Sequence, residues 1–184
     1  MSKRAIILTW TGFQDQEVIY PFYRLLGAEF EVECVADQMD AAGRVYGILG
    51  AHVPCTLLIE DFLADTERFH SDFDLLVIPG GVKALEKIRL EAGVIDFVER
   101  WNESGKIIAS TCHGAQLLIS AKATIGRTIA GYYSIEDDIV NSGAKYSRDP
   151  VVVDGHIVSS PHYDHMGVWM ETAILMAGEQ GPLN

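Results

Sequence analysis

The run Ser110-Thr111-Cys112-His113-Gly114 holds the residues best suited to covalent chemistry. Cys112 follows a short stretch, Lys106 to Ser110, that reads as a buried strand. A helical pattern from about His113 to Ala121 follows with no loop between. A side chain at such a corner is forced outward on a strained backbone, and small residues two before and two after it (Ser110, Gly114) relieve the crowding. The spacing predicts a nucleophile elbow, with small-x-Cys-x-Gly in place of Gly-x-Ser-x-Gly. Free N–H groups and the helix dipole at a helix N-terminus favour a thiolate, which predicts a Cys112 pKa below the usual value of about 8.5. A second strand, Asp74 to Ile78, ends in Pro79-Gly80-Gly81, where glycines let backbone amides approach a ligand closely. The N–H of His113 and one from Gly80 or Gly81 would form an oxyanion hole.

The elements that must position this corner alternate along the chain. Ala5 to Thr9 is a continuous apolar run, as for a strand buried on both faces. Asp15 to Leu26 carries Val18, Ile19, Phe22, Leu25 and Leu26 at helical spacing. Glu29 to Val35 reads as a strand, and 37 to 58 is irregular, with a strand or hairpin over Val53 to Ile59. Glu86 to Ser104 is helical, Ile135 to Asn141 is a short acidic helix, and Tyr163 to Ala177 closes as an amphipathic helix. Val151 to Val158 predicts a hairpin turning at Asp154-Gly155. Repeated βα units with one late hairpin predict an α/β fold: a mostly parallel sheet with helices on both faces. The 184 residues suit a single domain, 1–184, with no repeat or linker to split it.

Composition narrows the function. A net charge of −12 argues against nucleic acid or an anionic membrane as partner. Charges interrupt every apolar run before about 18 residues, and no signal-peptide pattern opens the chain, so a cytoplasmic location is expected. The cysteines Cys34, Cys55 and Cys112 form no CxxC pair and read as free thiols, with Cys34 and Cys55 as packing residues. No cofactor and no metal is expected. His162, Asp164 and His165 match no recognised ligand spacing and read as surface or pocket-lining groups. Trp10, Tyr132 and Tyr133 could wall a pocket or pack in the core.

Ser110 to Ser120 resembles the cysteine elbow of the ThiJ/PfpI superfamily, flavodoxin-like three-layer sandwiches related to class I glutamine amidotransferases. Further segments resemble the family in the same order: Gln16-Glu17-Val-Ile-Tyr-Pro21, Pro79-Gly-Gly-Val-Lys-Ala-Leu-Glu86, Ile135 to Asp138 with Asn141 to Gly143, and Val151 to Ser160. The match is strongest to the PfpI-like intracellular protease branch. The resemblance implies that Glu17 hydrogen-bonds the thiol while itself protonated, that His113 is a general base, and that Glu86 orients this histidine from a neighbouring subunit. A dimer or hexamer is thereby implied. One departure stands out. Where the branch carries Ser-Arg, this chain has Ser159-Ser160-Pro161-His162-Tyr163-Asp164-His165, so the family's arginine contact is missing and His162 lines the substrate side instead.

The expected activity is a cysteine-dependent hydrolase acting on a peptide, amide or other small electrophile. Glutathione-independent glyoxalase or deglycase chemistry is the alternative, since the Glu17–Cys112 pair alone would suffice for it. A redox-sensing stress protein or chaperone is a third reading, because an activated thiol is readily oxidised.

Overall fold

The computed structural model describes residues 2–179. Seven strands form one sheet: β1 (Arg4–Leu8), β2 (Glu31–Ala36), β5 (Leu57–Leu58), β6 (Leu75–Ile78), β7 (Ile107–Thr111), β10 (Val152–Asp154) and β11 (Ile157–Ser160). Their spatial order is β10-β11-β7-β6-β1-β2-β5. Every neighbouring pair is parallel except β10 with β11. β6 and β7 are buried along their whole length, which is why Leu75–Ile78 and the start of β7, Ile107 to Ala109, read as apolar runs. Two small ribbons lie outside the sheet: β3 (Arg44–Tyr46) with β4 (His52–Pro54), and β8 (Thr128–Ala130) with β9 (Lys145–Ser147).

Helices complete the layers: α1 (Asp15–Gly27), α2 (Ile59–Ala64), α3 (Thr66–Asp72), α4 (Val82–Ile88), α5 (Ala92–Glu103), α6 (Ala115–Ser120), α7 (Glu136–Asn141) and α8 (Met166–Glu179). α1 packs on α8, which lies against β7 and β11, while α5 packs on α6. The buried indoles of Trp101 and Trp169 donate to Ile107 O (3.2 Å) and Val158 O (3.1 Å), tying helices to the two strands beside the elbow. Among the described residues, no helix is long and apolar enough to cross a membrane.

The expected α/β sheet with its late antiparallel strand is present, and some boundaries differ. The helix predicted over Glu86 to Ser104 is two, α4 and α5, separated at Arg89–Glu91. α4 starts earlier because Gly81, at φ +109°, lets the chain turn into a helix directly after β6. The hairpin loop is Gly155-His156 rather than Asp154-Gly155: Asp154 still pairs with Ile157, and Gly155 takes φ +61°. The stretch from Val53 to Ile59 is divided between the β3–β4 ribbon and the two-residue edge strand β5. α2, α3, β8 and β9 are too short for periodicity to have marked them.

Candidate active site

β7 ends at Thr111, Cys112–Gly114 make one 3₁₀ turn, and α6 begins at Ala115. Cys112 has φ +56°, the left-handed region that a residue with a Cβ enters only under constraint. Its neighbours supply the constraint. Tyr132 N donates to Cys112 O (3.1 Å). Gly114 abuts the end of β6: a Cβ there would collide with Ile78 O and lie 3.1 Å from both Pro79 O and Ser110 Oγ. Backbone atoms cannot move aside cheaply, so Gly114→Ala should lower unfolding free energy by about 2 kcal/mol, read by urea denaturation.

Glu17 lies in the first turn of α1 and is completely buried. Gly80 N donates to its Oε2 at 2.7 Å, while Oε1 is buried with no oxygen or nitrogen partner. The Cys112 side chain lies against the same carboxyl; a Cβ on Gly80 would touch Glu17 Oε2 and sit 2.7 Å from Cys112 Cβ. Burial pushes the Glu17 pKa up to about 7, against the opposing hydrogen bonds from Cys112 and Gly80. Near neutrality this carboxyl can therefore both hold and release a proton.

The depressed Cys112 pKa expected from a helix N-terminus is corrected. Cys112 is only 6% exposed, and burial, followed by the neighbouring Glu17 carboxylate, pushes its pKa up. The amides of His113 and Gly81 hydrogen-bond the sulfur and pull the other way. The six-residue α6, reached through a 3₁₀ turn, contributes too little dipole to overcome burial. The Glu17 carboxyl is the hydrogen-bonding neighbour of this thiol.

His113 points its Nδ1 at Cys112 Sγ (3.4 Å) and its Nε2 at Ser134 Oγ (3.5 Å). Burial lowers its pKa, so the ring is neutral at pH 7. Its face stacks on Tyr132, centroids 4.8 Å apart. Nothing in the local sequence marked Ser134, because its proximity arises from the chain returning after β8.

Of the two glycines, Gly80 spends its amide on Glu17, so Gly81 with His113 supplies the amides that face the sulfur. Glu86 is exposed on α4 and has no hydrogen bond or ion pair among the described residues. Trp10 packs, partly buried, against the core rather than joining the hydrogen-bonded site. His162 is brought close: its ring stacks at 6.0 Å from Tyr132, and its Nδ1 lies 3.1 Å from Asp164 Oδ2 and accepts from Asp164 N at 3.3 Å. Among the described residues, no group of three or more His, Cys, Asp or Glu side chains could hold a metal ion. Cys34 lies in β2, three strands from β7 and so about 14 Å across the sheet, too far to form a disulfide with Cys112.

A thiol at a left-handed corner, a buried glutamate against it and two amides facing the sulfur make one constellation. The DJ-1/PfpI family model matches residues 3–175. The chain belongs to that family. Among its relatives are the Thermococcus kodakarensis protein named as a deglycase, 37% identical over 91% of this chain and 95% of its own, and the deglycase PfpI of Pyrococcus furiosus, 35% identical with the same coverage. YraA of Bacillus subtilis, with a provisional cysteine-protease name, is 35% identical over 87% of this chain and 89% of its own. The DJ-1/ThiJ/PfpI-like part of a two-domain Anabaena variabilis protein, which also has a ferritin-like domain, superposes with a TM-score of 0.85 at 31% identity, covering 99% of this chain and 50% of that one. Across the family these names include both deglycases and proteases, so family membership alone leaves the reaction to be argued from the site.

Proposed function

We propose that this chain is a cysteine-dependent enzyme that converts small 2-oxoaldehydes and their adducts, in the manner of a glyoxalase or deglycase. The observation that carries the reading is the buried Glu17 carboxyl against Cys112, with a pKa near 7 and one oxygen held by Gly80. Glu17 takes the proton from Sγ as the sulfur attacks the aldehyde carbon, and the S–C bond forms while the C=O pair moves to oxygen. That oxyanion accepts from the His113 and Gly81 amides. Glu17 returns that proton to the oxyanion, giving a hemithioacetal, and, a carboxylate again, takes the hydrogen of the attacked carbon as a proton; the hydroxyl proton moves to the neighbouring carbonyl oxygen as Glu17 delivers its proton to that carbon, leaving a 2-hydroxy thioester. Water cleaves it, restoring the thiol. For methylglyoxal the sum is one water added and lactate formed, with no external oxidant or reductant.

Peptide or amide hydrolysis is a second reading, favoured by the 3.4 Å approach of His113 Nδ1 to Sγ, since a neutral imidazole can protonate a leaving amine once it has taken the thiol proton. In that reading Glu86, exposed on α4, reaches His113 of a neighbouring copy in a dimer or hexamer. Glu86→Ala should then lower amide hydrolysis at least tenfold and leave methylglyoxal turnover unchanged.

A panel of methylglyoxal, a fluorogenic peptide and small amides, each run beside Cys112→Ala, separates the two. Methylglyoxal consumption dependent on Cys112 supports the first reading. Cysteine-dependent cleavage of the peptide or amides alone replaces it with the second.

A further inference from the structure

Three buried oxygens near the thiol have no oxygen or nitrogen partner among the described residues: Thr9 Oγ1, Thr111 Oγ1 and Glu17 Oε1. Sheet register brings the two hydroxyls into one row. Ile7 pairs with Val77, and Val77 with Ala109. Two residues further along each strand, the same register aligns Thr9, Pro79 and Thr111. Residues of one row share a face of the sheet, and successive rows alternate. Ser110, one row back, turns toward Gly114 at the start of α6, where a Cβ would lie 3.1 Å from Ser110 Oγ. Thr9 and Thr111 face the other way. The crossovers from β1 to β2 and from β6 to β7 run in opposite directions along the sheet, so right-handed connections put α1 on the face opposite α5 and its neighbour α6. The two threonines therefore face the α1 side. The Glu17 carboxyl meets the middle of their row, because Gly80, next to Pro79, donates to its Oε2.

Packing does not require hydroxyls here. On the same face one step deeper, the row is Ile7, Val77 and Ala109, which is wholly apolar. Two enclosed hydroxyls beside a carboxyl oxygen are a polar lining of the kind that binds internal water. Charged groups do not serve Glu17 instead. On the elbow, Cys112 hydrogen-bonds the carboxyl, and His113 is neutral and turned to Sγ and Ser134. Asp15 spends both oxygens on the amides of Leu49 and Ala51. The other elements packed on α1 turn their charges outward: Glu31 and Glu33 of β2 meet Arg4 and Arg68, His52 of β4 is exposed, and Glu171 of α8 pairs with Arg24. We propose that Thr9 and Thr111 hold ordered water against Glu17 Oε1, and that this water favours the ionised carboxylate that takes the thiol proton. The water donates to Oε1 and accepts from a threonine hydroxyl. The threonines are positioning residues, acting on the reaction through the water and Glu17, and the proposal rests on the role given to Glu17 above.

The test pairs a titration with a structure. Valine matches threonine in shape and lacks the hydroxyl, whereas serine keeps it. The pH midpoint of Cys112 alkylation by iodoacetamide should rise by about one unit in the Thr9→Val, Thr111→Val double variant, the worth of one hydrogen bond to a charged group. It should return to the wild-type value in the Thr9→Ser, Thr111→Ser variant. Threonines that only pack would leave the midpoint unmoved, and that result overturns the proposal. The second arm needs no variant. A high-resolution crystal structure of the wild type should show water within about 3.2 Å of Glu17 Oε1 and of a threonine hydroxyl. No ordered water there, or water bonded to neither hydroxyl, overturns the proposal as well. Water in place and a shifted midpoint, with no oxoaldehyde turned over, leave the water site standing and overturn the reaction instead.

Discussion

Cys112→Ala is expected to lower methylglyoxal turnover by on the order of 10⁴-fold or more, because no other group at the site can form the covalent intermediate. Cys34 cannot substitute, lying about three strand spacings away with its own thiol pKa pushed up by burial. The same position has a second, independent readout. At φ +56° any side chain with a Cβ is strained, so Cys112→Gly should be more stable than Cys112→Ala by about 1 kcal/mol in urea unfolding. The usual order, alanine above glycine, at this position would show that the corner stores no strain. Turnover surviving in Cys112→Ala would remove the sulfur from the chemistry altogether.

Glu17→Gln should produce the next largest effect, on both rate and stability. A glutamine keeps the acceptor for Gly80 N–H but can take no proton from Sγ, so kcat/KM at pH 7.5 should fall about 100-fold or more. In the wild type, iodoacetamide alkylation of Cys112 should rise through about pH 7, as the Glu17–Cys112 pair loses its first proton, and then level off. In the variant this rise should move to higher pH, where the buried thiol ionises alone. An alkylation profile identical to wild type would exclude Glu17 from the site. Stability carries the opposite sign. Burial raises the Glu17 pKa from 4.5 to about 7, so the unfolded chain releases this proton at lower pH than the folded one. The contribution of Glu17 is fully present below pH 4.5 and is lost as pH rises through about 7, a total of about 3 kcal/mol. Glu17→Gln removes this loss, and its unfolding free energy should therefore fall less between pH 5 and pH 8 than that of the wild type. The variant is thus expected to be slower and, above neutrality, relatively more stable. This trade is characteristic of a carboxyl kept in a dry site for its proton.

Much of this arrangement was legible in the residues. The parallel strands announced themselves because β6 and the first three residues of β7 are buried on both faces and are apolar. The elbow could be read because a left-handed corner between a strand and a turn crowds its neighbours, and only small residues such as Ser110 and Gly114 fit beside it. Other features depended on contacts between segments far apart in the chain. Gly80 and Gly81 looked equivalent, yet the position of Glu17 across 63 residues commits the Gly80 amide and leaves Gly81 for the sulfur. The direction of the Cys112 pKa was misread for the same reason. A local pattern reports the helix end, whereas burial and the charge beside it come from packing of β7 against β6 and α1. Alone, then, the sequence determined the α/β architecture and the placement of Cys112 at a strand-to-helix corner, because strand burial and corner sterics act between near neighbours. Tertiary structure decided the protonation partner, the amide donors and the line of rings leading out from the thiol, because distance, desolvation and stacking exist only once separate segments have been brought together.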